Sequence, residues 1–140
     1  MNTSTLTPLI PLSAVSVSVS ASTQQALIRE VAGLLMKADA TLDPNLLVEA
    51  FERRELVQST AVIEGVAFPQ ATLPHLDAPM IAIARSEQGV PFNSLDGTDT
   101  FLFVALLTPE EDPKRSLHLL ARLTRLFHSQ PQLRDELCVA

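Results

Sequence analysis

The chain is expected to fold as an α/β sandwich, a single sheet with helices on both of its faces. Three observations predict this. Strand-type runs alternate along the chain with stretches whose apolar residues recur at helical spacing. One run, Phe101 to Leu107, is almost wholly apolar, as a central strand covered on both faces must be. At 140 residues the chain is one domain by length, large enough to bury roughly 68–70% of its unfolded surface.

Residues 1–12 contain Pro8 and Pro11 and read as an irregular lead-in, with the domain proper running from 13 to 140. Val15, Val17 and Val19 then alternate with Ser16, Ser18 and Ser20, the period of a half-buried strand. Ser22, with Gln25 three positions on, predicts a capping box. The helix it opens runs from about Thr23 to Asp39, with Leu27, Val31, Leu34, Leu35 and Ala38 on one face. Asp43-Pro44 predicts a second helix, Asp as the cap and Pro in the first turn. Its apolar face is Leu47, Ala50 and Phe51, and it is expected to end in the charged run Glu52-Arg53-Arg54-Glu55. Val62 to Phe68 reads as a strand closed by Pro69. Ala71 to Pro79 reads as loop, because Pro74 and Pro79 punctuate it. Met80 to Ala84 is a short strand, and Gly89 to Gly97 is turn-rich with room for a short edge strand. After the central strand, Pro109 to Pro113 is an acidic loop. Leu117, Leu120, Ala121, Leu123, Thr124 and Phe127 describe a helix, and Pro131 opens a last short one to about Leu137. No internal repeat, low-complexity tract or linker interrupts this order.

Composition excludes several functions. The formal net charge is −6, which argues against nucleic acid or an anionic membrane as partner. Trp and Tyr are absent, so stacking platforms for bases are scarce. The one cysteine, Cys138, cannot form an internal disulfide, and one thiol with three scattered histidines does not make a zinc site. No metal or other cofactor is expected. No Lys or Arg precedes Arg29, so a signal peptide's basic start is missing, and no apolar run reaches a membrane span. A reducing cytoplasm is the expected location.

Four blocks carry a resemblance. The first is Arg54-Glu55, then Ser59-Thr60, then Gly65-Val66-Ala67-Phe68-Pro69. The second is Arg85-Ser86 with Gly89-Val90-Pro91-Phe92. The third is Leu95-Asp96-Gly97 leading into Phe101 to Leu107. The fourth is Pro109-Glu110-Glu111, then Leu117 and Leu119-Leu120-Ala121-Arg122-Leu123. In this order and spacing they resemble the type-2 enzyme IIA domains of the bacterial phosphotransferase system, the fructose, mannitol and nitrogen-regulatory class. The resemblance implies a three-layer sandwich with a mixed sheet, and a phosphoryl group carried on a histidine directly after the Pro69 position. Here that position is Gln70. A second family histidine corresponds to Ser116, the register being fixed by Leu117, Leu119, Leu120 and Ala121. Two family glycines correspond to Ala61 and Ile63, so the loop either takes another path or used those glycines at ordinary dihedrals. Arg54 is the charged residue of the family's site that remains.

An amide nitrogen cannot attack phosphorus, because its lone pair is delocalised into the carbonyl. The expected function is therefore a IIA-like regulatory or protein-binding domain that does not carry phosphate. Arg54, Thr60, Gln70 and Ser116 are its candidate binding residues. Gln70 reads either as a neutral stand-in for an unphosphorylated histidine or as a residue without a role. The alternative function is an active phosphocarrier using His75, five positions on in the same proline-rich stretch. Five residues of loop can displace a side chain by as much as ~16 Å, which favours a solvated histidine. His118 is about 200° around its helix from Ser116 and reads as structural. His128 suits a helix end. Ser59 and Thr60 read as capping hydroxyls in the bland alternative. The expected partners are proteins, either an HPr-like phosphocarrier surface or a regulated target. The resemblance also implies one more C-terminal helix than this chain has length for, and an apolar patch left by it would favour a partner or self-association.

Overall fold

The structure, a computed structural model, describes residues 18–94, 96–130 and 132. Helix α1 is Gln24–Ala38, α2 is Pro44–Val57, and four strands come next: β1 Val66–Ala67, β2 Gln70–Leu73, β3 Met80–Val90 and β4 Thr100–Pro109. Helix α3, Pro113–Ser129, closes the order.

Strand β4 organises the sheet. β3 lies antiparallel to it, Ile81 facing Leu106 and Arg85 facing Leu102. β1 and β2 run parallel to it, Val66 facing Leu102 and Gln70 facing Leu106. Leu102 and Leu106 are thus paired on both sides, so β3 lies along one edge of β4 and β1–β2 along the other. From Val66 to Gln70 is four steps, and from Leu102 to Leu106 is four steps as well. β1 and β2 are therefore one strand in constant register, interrupted at Phe68-Pro69 because proline has no N–H for the ladder.

The period of two sorts the sheet's residues onto its faces. Ala67, Ala71, Ala82, Ala84, Phe103, Ala105 and Leu107 form one face and pack with Leu27, Val31, Leu35, Leu47 and Phe51 of α1 and α2. Val66, Phe68, Ile81, Ile83, Leu102, Val104 and Leu106 form the other, under Leu119, Leu123 and Phe127 of α3. This is the sandwich with helices on both faces that the sequence predicts, with the mixed sheet that the resemblance implies. Alanines on the first face let two helices sit close to the strands. Larger side chains on the second fill the space under one. Edge-to-face ring pairs stiffen both sides: Phe92 with Phe103 at 5.2 Å between centroids, and Phe68 with Phe127 at 5.7 Å.

Several local expectations are corrected. The cap of α1 is Thr23, not Ser22: the Ala26 N–H donates to its Oγ1 at 3.1 Å. Asp43 caps α2 as expected, taking the Asn45 and Leu46 N–H groups, but the helix runs through the charged stretch to Val57. The strand expected from Val62 shrinks to Val66–Ala67, because Gly65, at φ 75°, turns the chain immediately before it. The stretch expected as loop begins with strand β2. β3 continues to Val90 through an irregularity, where Gly89 takes φ 86°. In α3 the buried residues are Leu119, Leu123 and Phe127, while Leu117 is exposed. Val15 and Val17, Cys138, and the last helix beyond Gln132 lie outside the described residues. Val19 is inside them, buried, its N–H donating to the Arg85 carbonyl at 2.8 Å. No helix among the described residues is long and apolar enough to cross a membrane.

Candidate functional site

A cleft of about 250 Å³ opens where β2 meets the end of α2 and the start of α3. Each element supplies part of it for a local reason. α2 extends to Val57, so Ala50, Arg53, Arg54 and Val57 form one wall. Pro69 ends the interruption of the parallel strand and puts Gln70, Ala71 and Thr72 on the floor. Asp112 and Pro113 start α3 directly after β4, which brings Ser116 to the opposite wall.

Three of the five residues singled out in the sequence, Arg54, Gln70 and Ser116, therefore meet. Each is held. The Arg54 guanidinium donates to the Gln58 carbonyl at the end of its helix, at 2.9 Å. The Gln70 side-chain N–H donates to the Phe68 carbonyl at 3.1 Å. The Ser116 hydroxyl shares a hydrogen bond of 2.8 Å with that of Thr108, a buried residue of β4. Among the described residues no carboxylate lines the cleft, and the fixed charge they bring to it is that of two arginines. Arg53 also pairs with Glu49 at 2.6 Å, with both side chains largely exposed.

The other two lie elsewhere. Thr60 is buried and is not among the residues of the cleft. Its N–H and hydroxyl both donate to the Glu55 carboxylate at 2.8 Å. Ser59 continues the clasp, its hydroxyl donating to the Phe92 carbonyl at 2.8 Å and accepting from the Ala61 N–H at 3.1 Å. These hydroxyls tie the segment after α2 to the body of the molecule. Burial holds the Glu55 carboxyl above the ordinary glutamate range, against the lowering pull of the Thr60 hydrogen bonds and of Arg54. Among the described residues only His75 and Asn93 are non-glycine residues at positive φ, so Ala61 and Ile63 carry no such strain.

His75 lines a separate cavity of about 570 Å³ with Asp39, Asp43 and Asp77. Its backbone sits at φ 63° and its N–H donates to Glu111 at 3.2 Å. His118 and His128 are exposed on α3. Sequence reasoning had no separate role for Arg53, Val57 or Thr72, and missed Glu55 as the anchor of Thr60. A glutamate five residues before the threonine of a Ser-Thr pair was the available signal. Among the described residues no three His, Cys, Asp or Glu side chains converge as metal ligands.

The family model described as "Phosphoenolpyruvate-dependent sugar phosphotransferase system, EIIA 2" matches residues 9–137. The chain is similar to the fructose-specific EIIABC component of Bacillus subtilis, 30% identical over 135 residues. That match covers 96% of this chain but only 21% of the relative. Among solved structures it is similar to nitrogen regulatory protein IIA-Ntr from Neisseria meningitidis, with a TM-score of 0.86 and 26% identity. This likeness covers 97% of the present chain and 92% of the other. The fold is also that of enzyme IIA mannitol in its complex with phosphorylated enzyme IIB mannitol from Escherichia coli. There the TM-score is 0.63 and the identity 20%, over 81% of each chain.

Proposed function

Since the chain belongs to the phosphoenolpyruvate-dependent sugar phosphotransferase system EIIA 2 family, we propose that it is a regulatory, protein-docking member that carries no phosphoryl group. The carrying observation is the side chain that reaches the cleft from the strand after Pro69. It is the amide of Gln70, facing Arg54 and Ser116. Gln70 takes the place of the family's acceptor histidine, and Ser116 that of the second histidine. A phosphorylated imidazole needs a basic ring nitrogen, and neither residue has one. Gln70 acts instead as a neutral stand-in for the unphosphorylated ring, its N–H tied to Phe68, so the docking face keeps one state.

The reading with His75 as acceptor finds less support. Three aspartates share the cavity of His75, and a phosphoryl group there would meet like charge. Docking is supported by apolar exposure next to the cleft: Leu56 is 88% and Val57 79% exposed, and Leu117, beside Ser116, is 66% exposed. Such a patch suits a protein partner, a phosphocarrier or a regulated target in the cytoplasm, or a second copy.

The test is phosphotransfer. The chain is incubated with phosphoenolpyruvate, enzyme I and HPr, beside a Gln70→His variant. The wild type is expected to gain no acid-labile phosphate by intact mass, and labelling of it at any residue overturns the unphosphorylated reading. Labelling of the variant alone would show that Arg54 and Ser116 still form a competent pocket. Docking is tested by affinity capture from cytoplasmic extract of the source cells. Failure to enrich any protein over a control column, with the chain folded, defeats it.

A further inference from the structure

The floor of the cleft is the edge of a sheet. Strand β2 is paired with β4 on one side only among the described residues. Two bonds fix the direction of its backbone groups. The Pro69 carbonyl accepts from Leu106 N–H at 2.7 Å, and the Leu73 carbonyl accepts from Glu110 N–H at 3.0 Å. Alternate residues of a strand turn their backbone groups to the same neighbour. Pro69, Ala71 and Leu73 therefore address β4, and Gln70 and Thr72 turn theirs away from it. No described residue bonds to these outward groups. The edge lies between two walls, α2 with Arg53, Arg54 and Val57, and α3 with Ser116.

An unpaired edge is a template for an extended chain, and proteins usually cover or charge it. Here the cleft leaves room beside it, and the charged side chains lining it among the described residues are both arginines. Arg53 pairs with an exposed carboxylate, a partnership worth little and easily exchanged. Arg54 spends one donor on Gln58 and keeps others for a carboxylate. A helix or a flat surface could not satisfy outward N–H and C=O groups spaced as in a strand.

We propose that the cleft is a strand-addition site: an extended acidic segment of a partner protein pairs its backbone with Gln70 and Thr72 and sets a carboxylate against Arg53 and Arg54. The proposal rests on the docking reading and names its mode. Backbone pairing supplies the affinity, and the arginines select the charge.

The probe is an acetylated, amidated hexapeptide of sequence Thr-Glu-Val-Asp-Val-Thr, titrated into the 15N-labelled chain. A matched peptide has lysine in place of both acids. The acidic peptide is expected to shift amides 70–72 and to slow hydrogen exchange at Gln70 and Thr72. The lysine peptide should bind at least about tenfold more weakly. Thr72→Pro removes one outward donor and leaves the bonds to β4, so it should cost about tenfold in affinity, whereas Thr72→Ala should stay within about twofold. The proposal is overturned by perturbation centred elsewhere, by none at millimolar peptide, by equal binding of the two peptides, or by Thr72→Pro behaving as Thr72→Ala. Such a result leaves affinity capture and the phosphotransfer assay to stand or fall on their own readouts.

Discussion

The Glu55 carboxylate is pulled two ways. Burial disfavours its charge, while two hydrogen bonds from Thr60 and the nearby Arg54 favour it, and burial wins. A carboxyl whose folded-state value is raised binds its proton more tightly in the native state. Its contribution to stability is complete below the ordinary glutamate value and is lost as the pH rises through the raised one. Glu55→Gln keeps an acceptor for the Thr60 N–H and removes the titration. Thermal melts across a pH series should show the variant gaining on the wild type from acid toward neutrality. A constant difference would show that burial does not control this group. The residue scale is also where the sequence was most unevenly legible. Arg54, Gln70 and Ser116 could be singled out from a resemblance in register, and the structure brings them together. The partner of Thr60 could not, because it depends on how the chain returns after α2. His75 looked close to Gln70 in sequence, but the strand between them carries it to another cavity.

At the scale of elements, the signals that survived are those with one physical solution. Asp43-Pro44 is such a signal. The carboxylate takes two free N–H groups of the first turn, and proline needs none. Asp43→Ala should cost about 1 kcal/mol, read as a lower denaturant midpoint at unchanged slope. An unchanged midpoint would mean that water replaces the cap at no cost. Ser22 was read as the cap of α1 one residue early, because Thr23, which takes the role, has a side chain of like chemistry. The end of α2 was misread because charged residues suit an exposed helix end and an exposed helix face alike. β2 was read as loop because proline density outweighed four residues whose strand character comes from pairing with β4.

For the whole molecule, alternation of element types was enough to place helices on both sides of one sheet. The directions of the strands were not in the pattern, since parallel and antiparallel neighbours of a central strand bury the same residues. They were reached only through the resemblance. Cohesion between the layers is testable at Phe68, which is 1% exposed and meets Phe127 edge to face. Phe68→Ala should cost about 3–5 kcal/mol, a large part of the roughly 5–15 kcal/mol typical of a domain. Chemical denaturation tracked by circular dichroism checks it, and a loss under 1 kcal/mol would mean that α3 is not anchored there.

The interruption at Phe68-Pro69 has an evolutionary consequence. Because the ladder resumes in phase after two residues, the gap insulates β2 from the segment that leads into β1. Side chains at the exposed Val62 and Glu64 can be rewritten without rotating β2, whereas Ser59, Thr60 and Gly65 are held by their own bonds and turn. A single residue added inside the gap would instead turn the whole strand over, burying Gln70 under α1 and α2 and moving Ala71 to the face under α3. Drift before the gap is thus confined to its exposed side chains, while the spacing of the gap itself is locked.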